Sequence, residues 1–186
     1  MILFINACVW EESRTKRLAD HLLDQMDDTI EEVRLVDIDF PRVDMDFLDR
    51  RDKLKEQGDY SDPMFRLAVQ FASADTVVIA APYWDMSFPT TLKAYFEQIN
   101  ILGITFEYTP TGAVGGLCKA GKLYYITTAG GPFAPDEFGY GYVEALAKNY
   151  YGIPETQLIK ATGLDIAGAD PEKILQDTMK NIFMRS

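Results

Sequence analysis

Three loops carry side chains whose types and spacing suit the binding of a flat anion. In the first, residues 6–15, the hydroxyls of Ser13 and Thr15 flank Arg14 just ahead of a helical pattern. Backbone N–H groups at a helix N-terminus attract negative charge, so this loop predicts an anion site. An ordinary helix N-cap at Ser13 is the alternative interpretation. The loop has neither the G-x-G-x-x-G of dinucleotide binders nor the Gly-Lys-Ser/Thr of nucleotide hydrolases.

The second loop lies between an apolar run at residues 77–81 and a helical pattern that opens at Pro89. Pro82 ends the run, because proline offers no N–H to a strand ladder. Large side chains follow where a connector ordinarily carries Gly, Ser or Asn: Tyr83, Trp84, Asp85 and Met86. Ligands of open α/β sheets bind at the carboxyl ends of strands, so this loop predicts a wall beside a flat group.

The third loop joins Thr128 and Ala129 to two consecutive glycines, Gly130 and Gly131. Glycine lets backbone approach a ligand closely, although an ordinary turn is the alternative interpretation. An anion loop, an aromatic wall and a glycine loop together fit flavin mononucleotide (FMN) better than a simple phosphate or NAD.

The elements that hold these loops alternate between strand and helix five times. Apolar or alternating runs predict strands at residues 2–5, 33–38, 77–81, 122–127 and 157–161. A stretch of helical periodicity follows each strand, and the apolar side of the last helix includes Phe183. Strands joined by right-handed helical crossovers are parallel, so we expect an α/β three-layer sandwich with helices on both faces of the sheet. Five strands favour the flavodoxin-like order 2-1-3-4-5 over the six-stranded dinucleotide-binding order.

Two stretches depart from this alternation. Residues 39–62 are charged and weakly periodic, which indicates an excursion with a helical turn at residues 47–54. Residues 104–108 alternate briefly and are followed by a glycine-rich link at residues 112–116. The last predicted helices cover residues 140–150 and the segment opened by Asp170 and Pro171.

Composition restricts the class of protein. The 186 residues suit one domain over residues 1–186, and a net charge of −11 argues against a nucleic-acid groove or a polybasic membrane surface. With two cysteines far apart and one histidine, neither a disulfide framework nor a metal site is expected. The chain lacks a signal-peptide pattern and an apolar run of membrane-spanning length, so a cytoplasmic location is expected.

The sequence from Pro82 to Phe96, PYWDMSFPTTLKAYF, resembles the P-M-Y-N-F-x-I-P-x-x-L-K-x-Y-F segment of FMN-dependent NADH-azoreductases. These enzymes share the flavodoxin-like fold with the NAD(P)H:quinone oxidoreductases. Residues 103–109, GITFEYT, are similar to that family's G-x-T-F-x-Y-T, and residues 126–131, ITTAGG, to its I-T-S-R-G-G. The spacing of the three segments agrees, and the resemblance is strongest over residues 77–131.

The resemblance implies an oxidoreductase that binds FMN rather than FAD and passes hydride from NADH or NADPH to a flat acceptor such as a quinone or azo compound. It implies ping-pong kinetics with no catalytic side chain, because the flavin N5 does the chemistry. It also implies a homodimer with active sites at the interface.

The same resemblance assigns residues to the site. It implies that Ser13, Arg14 and Thr15 hold the phosphate near Cys8, and that the acceptor meets Trp10 and, from a partner chain, Phe106 or Tyr108. The isoalloxazine would lie between two sets of residues: Pro82, Tyr83, Trp84, Asp85 and Met86 along the ring, and Thr128, Ala129, Gly130 and Gly131 at its pyrimidine end.

Three positions depart from the family pattern. Cys8 stands for a frequent Ser and is a weaker hydrogen-bond donor, and Ala129 replaces a frequent Arg. Asp85 replaces a frequent Asn. If its carboxylate lies near the ring, its charge would lower the reduction potential of the flavin, whereas a solvent-facing carboxylate would leave that potential unchanged. A flavodoxin-type electron carrier, a free-flavin reductase and a non-catalytic binding module remain as alternatives.

Overall fold

The computed structural model describes residues 1–182, which form a parallel sheet between two layers of helices. The strands are β1 (Ile2–Asn6), β2 (Ile30–Arg34), β3 (Thr76–Ala80), β4 (Phe106–Tyr108), β5 (Val114–Gly116), β6 (Lys122–Thr128) and β7 (Glu155–Ala161). Five of them pair in parallel in the order β2-β1-β3-β6-β7, while β4 and β5 form a separate antiparallel hairpin. The predicted flavodoxin-like arrangement is therefore confirmed, with β6 and β7 as the fourth and fifth sheet strands.

The helices cover both faces of the sheet. They are α1 (Arg14–Leu23), α2 (Met45–Glu56), α3 (Arg66–Ser73), α4 (Thr90–Ile99), α5 (Tyr140–Leu146) and α6 (Pro171–Lys180). One core places α1 and α6 against alternate strand residues such as Phe4 and Val78. A second core places α3, α4 and α5 against the other face, at residues such as Leu3 and Ile79. Burial on both faces explains why the central strands read as continuous apolar runs.

The second strand begins earlier than predicted. The sequence predicts residues 33–38, whereas β2 is Ile30–Arg34 and Leu35–Asp37 is a 3₁₀ turn. Because β2 is an edge strand, Glu31 and Glu32 are exposed, and charges of this kind obscure the apolar signal of a strand.

The excursion after β2 holds a longer helix than the single predicted turn. α2 has twelve residues and none of them is buried, so its weak periodicity gives little sign of its length. Its N-terminus is capped by Asp44, whose carboxylate accepts from the Phe47 N–H at 3.1 Å. The helix that follows this excursion begins with a 3₁₀ turn, Pro63–Phe65, that continues into α3.

The glycine-rich link is a strand, β5, which pairs with β4 around a turn at Gly112. The helix predicted over residues 140–150 is α-helical only to Leu146 and ends in a π-helical turn, Ala147–Tyr151. Of the positions predicted on the last helix, Phe183 lies outside the described residues. None of the helices within residues 1–182 is long and apolar enough to cross a membrane.

The hairpin is fixed to the π-helical turn after α5 where two backbones meet. A Cβ at Gly116 would overlap the backbone of Tyr151 and Gly152, whereas a Cβ at Gly121 would meet nothing within 4 Å. Only glycine therefore allows β5 to pack against the π-helical turn.

We expect Gly116→Ala to lower the free energy of unfolding by about 2–4 kcal/mol, because backbone atoms on both sides must shift. Gly121→Ala should change it by less than about 0.5 kcal/mol. Urea unfolding of both variants measures the difference, and equal stabilities would contradict the close contact.

Candidate functional site

A cavity of about 640 Å³ opens at the carboxyl ends of the sheet strands, a volume in the range of small-molecule sites. Its lining combines residues from four loops: Trp10, Glu11, Glu12, Ser13, Arg14, Thr15, Pro82, Tyr83, Trp84, Thr128, Gly130, Leu164 and Asp165. The structure thus brings together eight residues that the sequence predicts for cofactor binding, as well as Trp10. Parallel pairing accounts for this, since it places the loops after β1, β3, β6 and β7 at one edge.

The first loop presents the N-terminus of α1 to the cavity. Ser13 is the N-cap, with its hydroxyl accepting from the Lys16 N–H at 3.4 Å. The N–H groups of Arg14 and Thr15 lie in the first turn and so have no intrahelical partner. Both interpretations of Ser13 are therefore compatible: the side chain caps the helix, and the helix end offers donors for an anion.

A buried hydroxyl pair joins the first loop to the third. The Oγ1 atoms of Thr15 and Thr128 lie 2.6 Å apart, and the Thr15 side chain is fully buried. This contact fixes the start of α1 against the end of β6. The Thr15 backbone N–H remains available to a phosphate, and the Thr15 hydroxyl can also donate to one when the Thr128 hydroxyl is the donor of this bond.

The second loop folds as a two-residue turn. Trp84 and Ser87 exchange backbone hydrogen bonds of 3.1 and 2.8 Å around Asp85 and Met86, whose φ angles are 49° and 69°. Positive φ at both central residues is typical of a type I′ turn. The turn directs Asp85 and Met86 to solvent, outside the lining of the cavity, while Tyr83 and Trp84 remain inside it.

Two tryptophans from different loops pack against each other in the lining of the cavity. The rings of Trp10 and Trp84 meet edge to face with centroids 5.8 Å apart. Trp10 is 66% exposed and Trp84 36% exposed, so both present aromatic surface to an incoming group. The predicted aromatic wall therefore includes a residue from the first loop as well.

The third loop offers backbone donors. The carbonyl of Gly130 accepts from the Asp165 N–H, and that of Gly131 from the Gly163 N–H, each at 2.9 Å. Within residues 1–182 the N–H groups of Gly130 and Gly131 have no acceptor. A Cβ on Gly131 would meet nothing within 4 Å, so its backbone is accessible, whereas Ala129 is buried and bonded to Ala161.

Leu164 and Asp165 line the cavity although the sequence does not predict them for the site. They follow β7, and the predicted strand order already places that loop beside the third one. The Asp165 carboxylate accepts from the Arg14 guanidinium at 2.7 Å. A Cβ on Gly130 would overlap the same carboxylate.

Cys8 is a buried residue of the first loop, 3% exposed and outside the cavity lining. Its N–H donates to the Asn6 side chain at 2.9 Å, and burial raises the pKa of its thiol to about 11. The other cysteine, Cys118, is half-buried, and burial raises its pKa to about 12. Both thiols are therefore protonated and weak nucleophiles at neutral pH.

The hairpin residues lie apart from the cavity. Phe106 is buried against Tyr150, with ring centroids 4.8 Å apart, while Tyr108 is 57% exposed. Their predicted contact with an acceptor stays a prediction. Among the described residues no group of three or more His, Cys, Asp or Glu side chains is arranged to hold a metal ion.

Comparisons with known proteins agree with this architecture. A family model described as flavodoxin-like fold matches residues 1–182. The chain is 38% identical over 180 residues to an FMN-dependent NADH:quinone oxidoreductase of Coprothermobacter proteolyticus, covering 91% of this chain and 89% of the relative. It is 35% identical over 187 residues to an enzyme of the same name from Clostridium beijerinckii, covering 96% and 93%.

A solved structure is similar over the same length. The FMN-dependent NADH-azoreductase of Bacillus anthracis, in complex with FMN, superposes with a TM-score of 0.80 at 29% identity. The match covers 97% of this chain and 94% of that one.

The hydroxyls of two buried threonines, Thr15 and Thr127, differ in their partners. Thr15 is bonded to Thr128, while the buried Thr127 hydroxyl has no partner within residues 1–182. We expect Thr15→Val to cost about 1–2 kcal/mol of unfolding free energy, because it removes the bond and leaves the Thr128 hydroxyl without this partner. Thr127→Val, the matched control, should be neutral or stabilising because it removes a polar group that is buried without a hydrogen bond.

Urea unfolding of the two variants measures these changes. Equal losses of stability would contradict the assignment of the hydroxyl pair.

Proposed function

The chain belongs to the flavodoxin-like-fold family that includes the FMN-dependent NADH:quinone oxidoreductases, and from its site we propose that it is such an oxidoreductase. In this proposal FMN is the bound cofactor, NADH or NADPH is the electron donor, and a quinone or azo compound is the acceptor. The observation that carries it is the junction, in one cavity, of a helix N-terminus with a cation, two tryptophans and a glycine backbone.

The residues present fit this cofactor. The first turn of α1 and the guanidinium of Arg14 supply donors for a phosphate at one end of the cavity. Gly130 lines the cavity with its backbone, the neighbouring Gly131 is exposed just outside the lining, and the aromatic side chains suit a flat ring. When bound, FMN supplies a two-electron carrier that takes hydride from a nicotinamide and passes electrons to an acceptor.

The protein supplies position and electrostatics. The free N–H groups of Gly130 and Gly131 stabilise negative charge that develops on a pyrimidine-like edge. Trp10 and Trp84 together supply apolar aromatic surface against which a planar group can pack. No side-chain nucleophile is needed, and the two thiols, with raised pKa values, supply none.

The remaining features are proposed with the function. A cytoplasmic location is supported by the two cysteines, which are both free. One flavin-binding domain over residues 1–186 is supported by the single large sheet with a core on each face. A homodimer, with Tyr108 reaching a partner's site, is supported by the exposure of that side chain on the hairpin.

The first test is an anaerobic visible spectrum of the purified protein with FMN, before and after NADH. The flavin absorbance should bleach within the mixing time and return when a quinone is added. Steady-state rates at several quinone concentrations should give parallel double-reciprocal lines, as a ping-pong mechanism requires.

Other outcomes would overturn parts of this assignment. A flavin that NADH leaves oxidised indicates an electron carrier instead. Flavin that is reduced but released from the protein indicates a free-flavin reductase. A protein that takes up no flavin contradicts the cofactor assignment.

A second test addresses the aromatic wall. We expect Trp84→Leu to weaken FMN binding by roughly threefold to tenfold, the range of about 0.5–1.5 kcal/mol for one aromatic contact. Phe138→Leu is the matched control, because Phe138 is 56% exposed and does not line the cavity. Quenching of flavin fluorescence measures both dissociation constants, and equal effects would argue against a role for Trp84.

A further inference from the structure

One ion pair lies on the cavity where the proposed phosphate would bind. Nη1 of Arg14, in the first turn of α1, donates to Oδ1 of Asp165, in the loop after β7, at 2.7 Å. Both side chains line the cavity. In the described part of the chain, Arg14 is the one cationic side chain of that lining.

The other cations of this region are each paired with a carboxylate, and none of them lines the cavity. Lys16 pairs with Asp20 at 2.8 Å, Arg17 with Glu172 at 2.7 Å, and Arg34 with Glu11 at 2.7 Å. Of these side chains only Glu11 lines the cavity. A phosphate at the start of α1 must therefore obtain its side-chain cation from Arg14, which already has an anionic partner.

We propose that Asp165 is a specificity-determining residue that competes with the phosphate of a flavin for Arg14. The inference rests on the proposed function, since it concerns the same flavin site. The Asp165 carboxylate occupies one donor of the guanidinium and places a negative charge beside an incoming phosphate. It therefore lowers the affinity for FMN relative to riboflavin, which has the same ring and ribityl chain but no phosphate.

The size of the effect follows from exposure. The side chains of Arg14 and Asp165 are 38% and 66% exposed, so solvent screens both their attraction and the repulsion between Asp165 and the phosphate. A change of roughly threefold to tenfold in FMN affinity is expected when the carboxylate charge is removed. The same substitution should change the affinity for riboflavin by less than about twofold, because riboflavin has no phosphate to interact with Arg14.

The substitution that tests this is Asp165→Asn, which keeps the shape and one acceptor oxygen while removing the charge. Glu172→Gln is the matched control. The Arg17–Glu172 pair has the same 2.7 Å separation and side-chain exposures of 40% and 59%, and it also joins α1 to the chain beyond β7. Neither Arg17 nor Glu172 lines the cavity.

The experiment is a fluorescence-quenching titration of flavin-free protein with FMN and with riboflavin. We expect Asp165→Asn to tighten FMN binding by roughly threefold to tenfold and Glu172→Gln to change it by less than about twofold. In an Arg14→Gln background the gain from Asp165→Asn should shrink, because the group for which the two anions compete is gone. Asp165→Ala, which also removes the carboxylate, should likewise tighten FMN binding, and thermal unfolding checks that this variant is folded.

Three results would overturn the inference while leaving the flavin site intact. These are unchanged or weaker FMN binding by Asp165→Asn, an equal gain from Glu172→Gln, and an equal gain for riboflavin. If the unsubstituted protein binds neither flavin, the proposed function fails and this inference with it.

Discussion

The structure depends on backbone hydrogen bonds that extend the parallel ladder past the ends of β1, β3 and β6. The Ala7 N–H donates to the Ala80 carbonyl, the Ala81 N–H to the Ile126 carbonyl and the Ala129 N–H to the Ala161 carbonyl, each at 2.9 Å. These bonds hold the first residues of each loop in the register of the sheet. A site built from such loop bases inherits the rigidity of the strands, which a catalytic geometry requires.

The contacts that complete the site are all remote in sequence. The Thr15–Thr128 bond joins residues 113 apart and the Arg14–Asp165 pair joins residues 151 apart. Neither can form before the sheet has brought α1, β6 and the loop after β7 together. The cavity is therefore a property of the whole strand order, and the ion-pair partner of its one lining cation within residues 1–182, Arg14, is Asp165, which is remote in sequence.

The sequence predicts those parts of the molecule that have a recognisable residue pattern within one continuous segment. The buried strands, the anion loop and the aromatic loop each carry a continuous pattern, and they lie where that pattern indicates. The edge strand β2 and the exposed helix α2 are predicted with wrong bounds because exposed charges hide their periodicity. Leu164 and Asp165 are missed for a different reason: their loop has no distinctive residue types, and only the strand order places it at the cavity.

The turn at Asp85 and Met86 shows why a departure from a family pattern needs a structure to interpret it. Both residues have positive φ, which Asn and Asp tolerate and which costs an ordinary side chain about 1–3 kcal/mol. The Trp84–Ser87 backbone bonds and the 2.6 Å bond from the Ser87 hydroxyl to the Phe138 carbonyl hold this conformation. Because the Asp85 side chain is exposed and outside the cavity lining, solvent screens its charge. Asp85 therefore accommodates the positive φ of the turn that positions Trp84. This favours the solvent-facing interpretation over an effect on the flavin potential.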